Sequence, residues 1–188
     1  MTKKEIIREL KEKLDIKRFE HTLGVAYTAS SLAMKYEYDL NKAFLAGLLH
    51  DCAKGMSDKE KLQYCKKYKI AVTDVEQKNP SLLHAKVGAH LSKNKYEIDD
   101  PAICSSIMYH TTGKPNMDIL EQIIFIADYI EPLRDHDPEL AQIRKEAFEN
   151  LDHATYHIYR NTMSYLSSST KELDPMTQKA YLYYSENM

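Results

Sequence analysis

A histidine and an aspartate stand side by side, His50-Asp51, at the end of the apolar stretch Ala43-Phe44-Leu45-Ala46-Gly47-Leu48-Leu49. His21 lies upstream and Asp128 far downstream, each in a segment that reads as helix. Two imidazoles and two carboxylates on apolar helices are costly to bury unless positive charge neutralises them. A divalent metal supplies that charge, and a metal among further histidines can arm water for attack on phosphate. Asp128 is the sharpest case. It sits within Ile123-Ile124-Phe125-Ile126-Ala127-Asp128-Tyr129-Ile130, where an unpaired carboxylate carries a large desolvation penalty. Its partner is an arginine such as Arg134 or a metal. On a regular helix His50 and Asp51 diverge by about 100°, so one ion serves both only from beside the last turn, where Ala46 and Gly47 leave room.

His84 opens a helical segment and His110 closes one, and functional groups at element ends commonly face a shared cleft. His90, six residues past His84, points to a different face. His153 and His157 have the i, i+4 spacing that suits zinc, but no third ligand accompanies them, and a solvated or core-edge pair is the better reading.

The elements that must position these groups read as helix almost throughout, with only five glycines and six prolines in 188 residues. Apolar spacing predicts helices from Thr2 to Leu14 and from Arg18 to about Tyr36, the latter with His21, Val25 and Leu32 on one face. Asn41 caps a third helix, which runs through the His-Asp pair and stops near Gly55. Ser57 and Glu60 form a capping box for a fourth, to about Tyr68. The polar stretch from Lys69 to Pro80 reads as loop. Two short helices follow, Ser81 to Lys93 and Asp100 to His110, then a loop from Thr111 to Pro115. Met117 to Ile130 is strongly apolar and ends at Pro132. One long helix spans about Pro138 to Ser168, its buried seam formed by Ile143, Ala147, Leu151, Ala154, Ile158 and Tyr165. Pro175 opens a last, tyrosine-rich helix. No segment alternates as a strand. The expected architecture is all-α, one domain over residues 1–188, a core at about 18–135 with C-terminal helices from 138 packed on it.

Composition excludes several classes. Cys52, Cys65 and Cys104 are odd in number and scattered, which suggests a reducing compartment rather than a disulfide framework. No signal peptide is read ahead of the first charged helix, and no apolar run approaches the roughly 20 residues that span a bilayer. The expected location is cytoplasmic, with no membrane partner. Net charge is −2 with dispersed basic residues, whereas a nucleic-acid module needs a concentrated basic face. A small phosphorylated ligand held by a few cations fits better. The fourteen tyrosines are candidates for stacking on a base or lining a homodimer interface.

The ordered set His21, His50-Asp51, Asp128 resembles the signature of the HD-domain metal-dependent phosphohydrolases. Five features in order resemble the bacterial YqeK family within it: Arg18 to Ala26, Ala46 to Lys54, His84 in its short helix, His110-Thr111-Thr112-Gly113, and Ile124 to Arg134. The resemblance implies a compact all-helical HD fold and a metal, often iron, held by His21, His50, Asp51 and Asp128. It also implies symmetrical hydrolysis of diadenosine tetraphosphate to two ADP, with Arg18, Lys54, His84, His110, Thr111 and Arg134 where phosphate contacts fall. Thr170, Lys171 and Thr177 are further guesses at nucleotide contacts. Mixed imidazole and carboxylate ligands suit iron, manganese, cobalt or zinc. In this reading Asp51 both ligates and orients the attacking water. His84 and His110 either donate to oxygens that gain charge, protonate the leaving phosphate, or hold a second ion. Rival readings are an HD-type nucleotidase or deoxynucleotide phosphohydrolase, a non-catalytic nucleotide-binding module, and a helical adaptor, the last leaving Asp128 unexplained.

Overall fold

The computed structural model describes residues 1–135, 137–167 and 172–188, all of whose regular elements are helical. In chain order they are α1 (Lys3–Lys13), α2 (Ile16–Lys35), α3 (Leu40–Leu49), α4 (Asp58–Tyr68), α5 (Asp74–Lys78), a 3-10 turn (Pro80–Leu83), α6 (His84–Asn94), α7 (Pro101–Tyr109), α8 (Ile119–Ile130), α9 (Leu140–Ala147), α10 (Leu151–Ser167) and α11 (Pro175–Glu186). Among the described residues no helix is long and apolar enough to cross a membrane.

Helix starts are set by side chains that satisfy the orphan N–H groups of the first turn. Thr2 with Glu5, Ser57 with Glu60, and Asp118 with Glu121 form capping boxes for α1, α4 and α8. Asp39, rather than Asn41, caps α3, its Oδ1 accepting from the N–H groups of Asn41 and Lys42. The core is built on α2, which lies along α3 and α8, while α7 packs against α3, α6 and α8. Gly47 makes the close approach of α3 to α2 feasible. A Cβ there would sit 2.8 Å from the Cα of Ala26, so α3 meets the backbone of α2 directly.

Three expectations about elements are corrected. The third helix ends at Leu49, and His50 to Gly55 continue as tight turns, with Cys52 N–H donating to Leu49 O and Lys54 N–H to Asp51 O. The stretch from Lys69 to Pro80 holds the short helix α5, capped by Thr73 with Glu76. The single helix over 138–168 is two, α9 and α10, broken at Phe148 to Asn150, where Asn150 Oδ1 accepts from His153 N–H. Ile143, Ala147, Leu151, Ala154 and Ile158 are buried as expected, but Tyr165 is 58% exposed. The helix α10 packs on α8 and α9, and α11 on α10.

Candidate metal centre

Apart from His21, which lies within α2, the chemistry-bearing residues come from helix ends. His21 projects from α2, His50 caps the C-terminus of α3 with Asp51 next to it, and His84 is the first residue of α6. His110 caps α7, and Asp128 lies in the last turn of α8. Each of the three helix-end histidines folds its ring back onto the carbonyl three residues earlier. His50 Nδ1 donates to Gly47 O at 2.6 Å, His84 Nδ1 to Ser81 O at 2.6 Å and His110 Nδ1 to Ile107 O at 2.7 Å. A carbonyl only accepts, so Nδ1 carries a proton, and whenever the ring is neutral its lone pair is at Nε2. At His21 the acceptor beside Nδ1 is a side chain instead, Glu131 Oε1 at 3.1 Å.

All four Nε2 atoms converge with the two aspartates. His21 Nε2 is 3.3 Å from His50 Nε2 and 3.1 Å from Asp128 Oδ1. His50 Nε2 lies 3.7 Å from Asp51 Oδ2 and 3.8 Å from Asp128 Oδ1. On the other side of Asp51, Oδ1 faces His84 Nε2 at 3.3 Å and His110 Nε2 at 3.6 Å, and those two nitrogens are 3.1 Å apart. The donor atoms form three overlapping sets, each within 4.8 Å: His21, His50 and Asp51; His50, His110 and Asp128; Asp51, His84 and His110. Lone pairs at such separations repel unless cations lie among them. Asp51 Oδ1, buried with no hydrogen-bond partner, is the clearest sign of this. The residues therefore fit a transition-metal centre, and nitrogen with carboxylate oxygen is a donor set such ions accept.

Electrostatics agree. Burial pushes His50 down to about 4 and His84 down to about 3, so both are neutral ligands at ordinary pH. Burial would raise Asp51 and Asp128, but the imidazoles outweigh it: His50, His110 and His84 around Asp51, and His21, His50 and His110 around Asp128, hold both carboxylates below their usual range. His110 is the exception among the rings: despite burial, Asp51 draws its pKa upward.

Cations ring this cluster. Arg18 Nη1 donates to Asp51 Oδ2 at 2.7 Å, and Arg134 Nη2 to Asp128 Oδ1 at 2.7 Å, with Arg134 Nε on the Asp128 carbonyl at 3.0 Å. Asp128 thus has the arginine partner considered from sequence as well as the imidazole neighbours. Lys54 Nζ sits 3.3 Å from His84 Nε2, and burial lowers its pKa. Thr111 Oγ1 is 3.2 Å from His84 Nε2 and 3.1 Å from His110 Nε2. Two cavities reach the cluster and share Arg134. One, of about 160 Å³, is lined by His110, Thr111, Phe125, Asp128, Tyr159 and Thr177 among others. The second, of about 480 Å³, is lined by Lys17, Arg18, Glu20, His21 and Glu131 among others.

Every expected ligand and phosphate-contact residue is therefore gathered in one place. His90 is elsewhere, its Nδ1 2.8 Å from Tyr64 Oη. His157 bonds Glu146 and Arg160 away from the centre, and His153 is exposed. Thr177 lines the smaller cavity, whereas Thr170 and Lys171 lie outside the described residues. Sequence reasoning assigned no role to Glu131, which is buried behind His21. The signal available was a carboxylate one turn after Asp128 and just before Pro132.

Comparison with known proteins places this geometry in context. A profile of the HD domain matches residues 18–133. The symmetrical bis(5′-nucleosyl)-tetraphosphatase of Halalkalibacterium halodurans is 36% identical over 181 residues, covering 96% of each chain. The enzyme of that name from Staphylococcus aureus is 39% identical over 161 residues, covering 85% of this chain and 82% of its own. A crystal structure from Clostridium acetobutylicum, titled an HD superfamily hydrolase involved in NAD metabolism, superposes with a TM-score of 0.96 at 37% identity, over 100% of this chain and 99% of that one.

Proposed function

Because this chain belongs to the HD-domain family and aligns along most of its length with symmetrical bis(5′-nucleosyl)-tetraphosphatases, we propose that it hydrolyses diadenosine tetraphosphate to two ADP. The observation that carries the reading is the convergence of four bare imidazole nitrogens and two carboxylates beside two arginines. His21, His50, Asp51 and Asp128 would hold one ion, iron first among iron, manganese, cobalt and zinc. Asp51, through its second oxygen, would join His84 and His110 around another. When bound, such ions supply an acidified water and polarise the phosphoryl group under attack.

The chain's own residues do the rest. In this reading His84 and His110 would serve as ligands rather than proton donors, since the Nδ1–H bonds to carbonyls leave Nε2 as the atom a bound ion would take. Arg18 and Arg134, each about a third exposed, face substrate and offset the charge of the tetraphosphate, the guanidinium fork matching two oxygens at once. Lys54 and the Thr111 hydroxyl add donors on the His84 side. The two cavities share Arg134, and in this reading the nucleoside ends would enter them with the central bridge at the cluster. Water adds to one of the phosphorus atoms flanking that bridge. The bridging oxygen departs on the other as the second ADP. A mononucleotide would leave one cavity unfilled, so product analysis on diadenosine tetraphosphate against single nucleotides separates this activity from nucleotidase action.

Replacing His21 by Ala tests the centre. Bound metal and turnover should fall together; full activity with unchanged metal content would end the assignment.

A further inference from the structure

Glu131 caps the C-terminus of α8 and is 1% exposed, at the wall of the larger cavity and behind His21 rather than among the donor atoms of the centre. Its two oxygens have separate tasks. Oε1 lies 3.1 Å from His21 Nδ1, and Oε2 accepts from the N–H of Leu133 at 2.8 Å. The first contact fixes the tautomer and rotation of His21, leaving Nε2 bare toward His50 and Asp128. The second pins the turn that carries Arg134 back onto Asp128. A buried carboxylate here also requires space on α2, and Gly24 provides it: a Cβ at that position would come 2.5 Å from Glu131 Oε2 and 3.2 Å from its Cδ. The backbone is held independently, since Arg144 Nη2 donates to Glu131 O at 3.0 Å and Arg144 Nε to Ile130 O at 2.9 Å.

We propose that Glu131 is a positioning residue for the metal centre, orienting His21 as a ligand and coupling it to the placement of Arg134. This rests on the metal reading of the cluster, though not on which substrate is cut. Outer carboxylates on ligating histidines typically contribute about 10–100-fold in metal affinity. Glutamine cannot replace this one, because both of its partners are N–H donors and an amide offers only one accepting oxygen.

The test uses Co²⁺ as the probe on the full chain, titrated at a temperature where the metal-free proteins are folded. Dissociation constants and the ligand-field spectrum are read without substrate. Glu131→Gln should bind about 10–100-fold more weakly, with an altered spectrum at saturation. Gly24→Ala, which keeps the charge but displaces the carboxylate, should weaken binding in the same sense. Wild-type affinity and spectrum in Glu131→Gln would overturn the proposal. So would a loss in that variant alone, with Gly24→Ala folded and unchanged, since net charge rather than position would then be responsible. A wild-type chain that fails to bind Co²⁺ would sink the metal reading itself, before any hydrolysis is measured.

Discussion

Arg134 joins several parts of the site. It bonds both the carboxylate and the carbonyl of Asp128, stands 3.5 Å from His21 Nε2, and borders both cavities. A charged hydrogen bond to phosphate is worth about 1.5–3 kcal/mol, so Arg134→Ala should raise KM by about ten- to a hundredfold with kcat changed much less. Arg134→Lys should not restore it, because an ammonium cannot span Asp128 and a phosphate as a fork does. A large fall in kcat at normal KM would instead assign Arg134 to the transition state. At this scale the sequence was highly legible: His21, His50, Asp51 and Asp128 are polar groups in apolar helices, which is costly enough to demand a shared explanation. Glu131 was illegible for the opposite reason. A glutamate at a helix end before proline looks solvated, and only the space left by Gly24 shows that it is buried.

Among the elements, the packing of α2 on α3 decides whether the centre exists. Gly47 lets the two backbones touch beside His21 and His50. Gly47→Ala should therefore cost about 1–3 kcal/mol through overpacking, seen as a lowered melting temperature, and should weaken metal binding because the helices separate. Unchanged melting and metal content would show that the contact yields without consequence. Helix existence followed from apolar spacing, but several boundaries did not. The long seam of Ile143, Ala147, Leu151, Ala154 and Ile158 keeps its periodicity across a break that contains no proline or glycine. The available signal was Asn150, whose side chain receives the N–H of His153 at the start of α10; Asn150→Ala should cost about 1 kcal/mol, measurable in denaturant unfolding. Thr73 and Glu76 likewise spelled a capping box inside a stretch whose polarity read as loop. The His-Asp pair lies beyond α3 because chain turning after Leu49 is set by tertiary contacts, which spacing alone does not encode.

At the scale of the whole molecule, the C-terminal helices brace the loop that follows His110. Tyr159 on α10 is fully buried, and its hydroxyl donates to Thr112 O at 3.1 Å, beside Thr111 and the paired His84 and His110. Its ring stacks on Tyr184 of α11, whose hydroxyl accepts from Met117 N–H and Gln122 Nε2. Gly113, at φ 60°, leaves the space that the Tyr159 hydroxyl fills. Tyr159→Phe should destabilise by about 0.5–1.5 kcal/mol, the net worth of one partly buried hydrogen bond, and lower turnover by loosening Thr111; identical melting and turnover would separate these helices from the site. The central claim is that a metal-loaded His/Asp cluster cuts a dinucleoside tetraphosphate at its midpoint. Its most direct test is chromatography of the products from diadenosine tetraphosphate before chelation, after chelation, and after adding back Fe²⁺, Mn²⁺ or Co²⁺. The account expects two ADP per substrate and no ATP or AMP, with activity abolished by the chelator and restored by the ion. Release of ATP and AMP, or a rate indifferent to chelation, would contradict it.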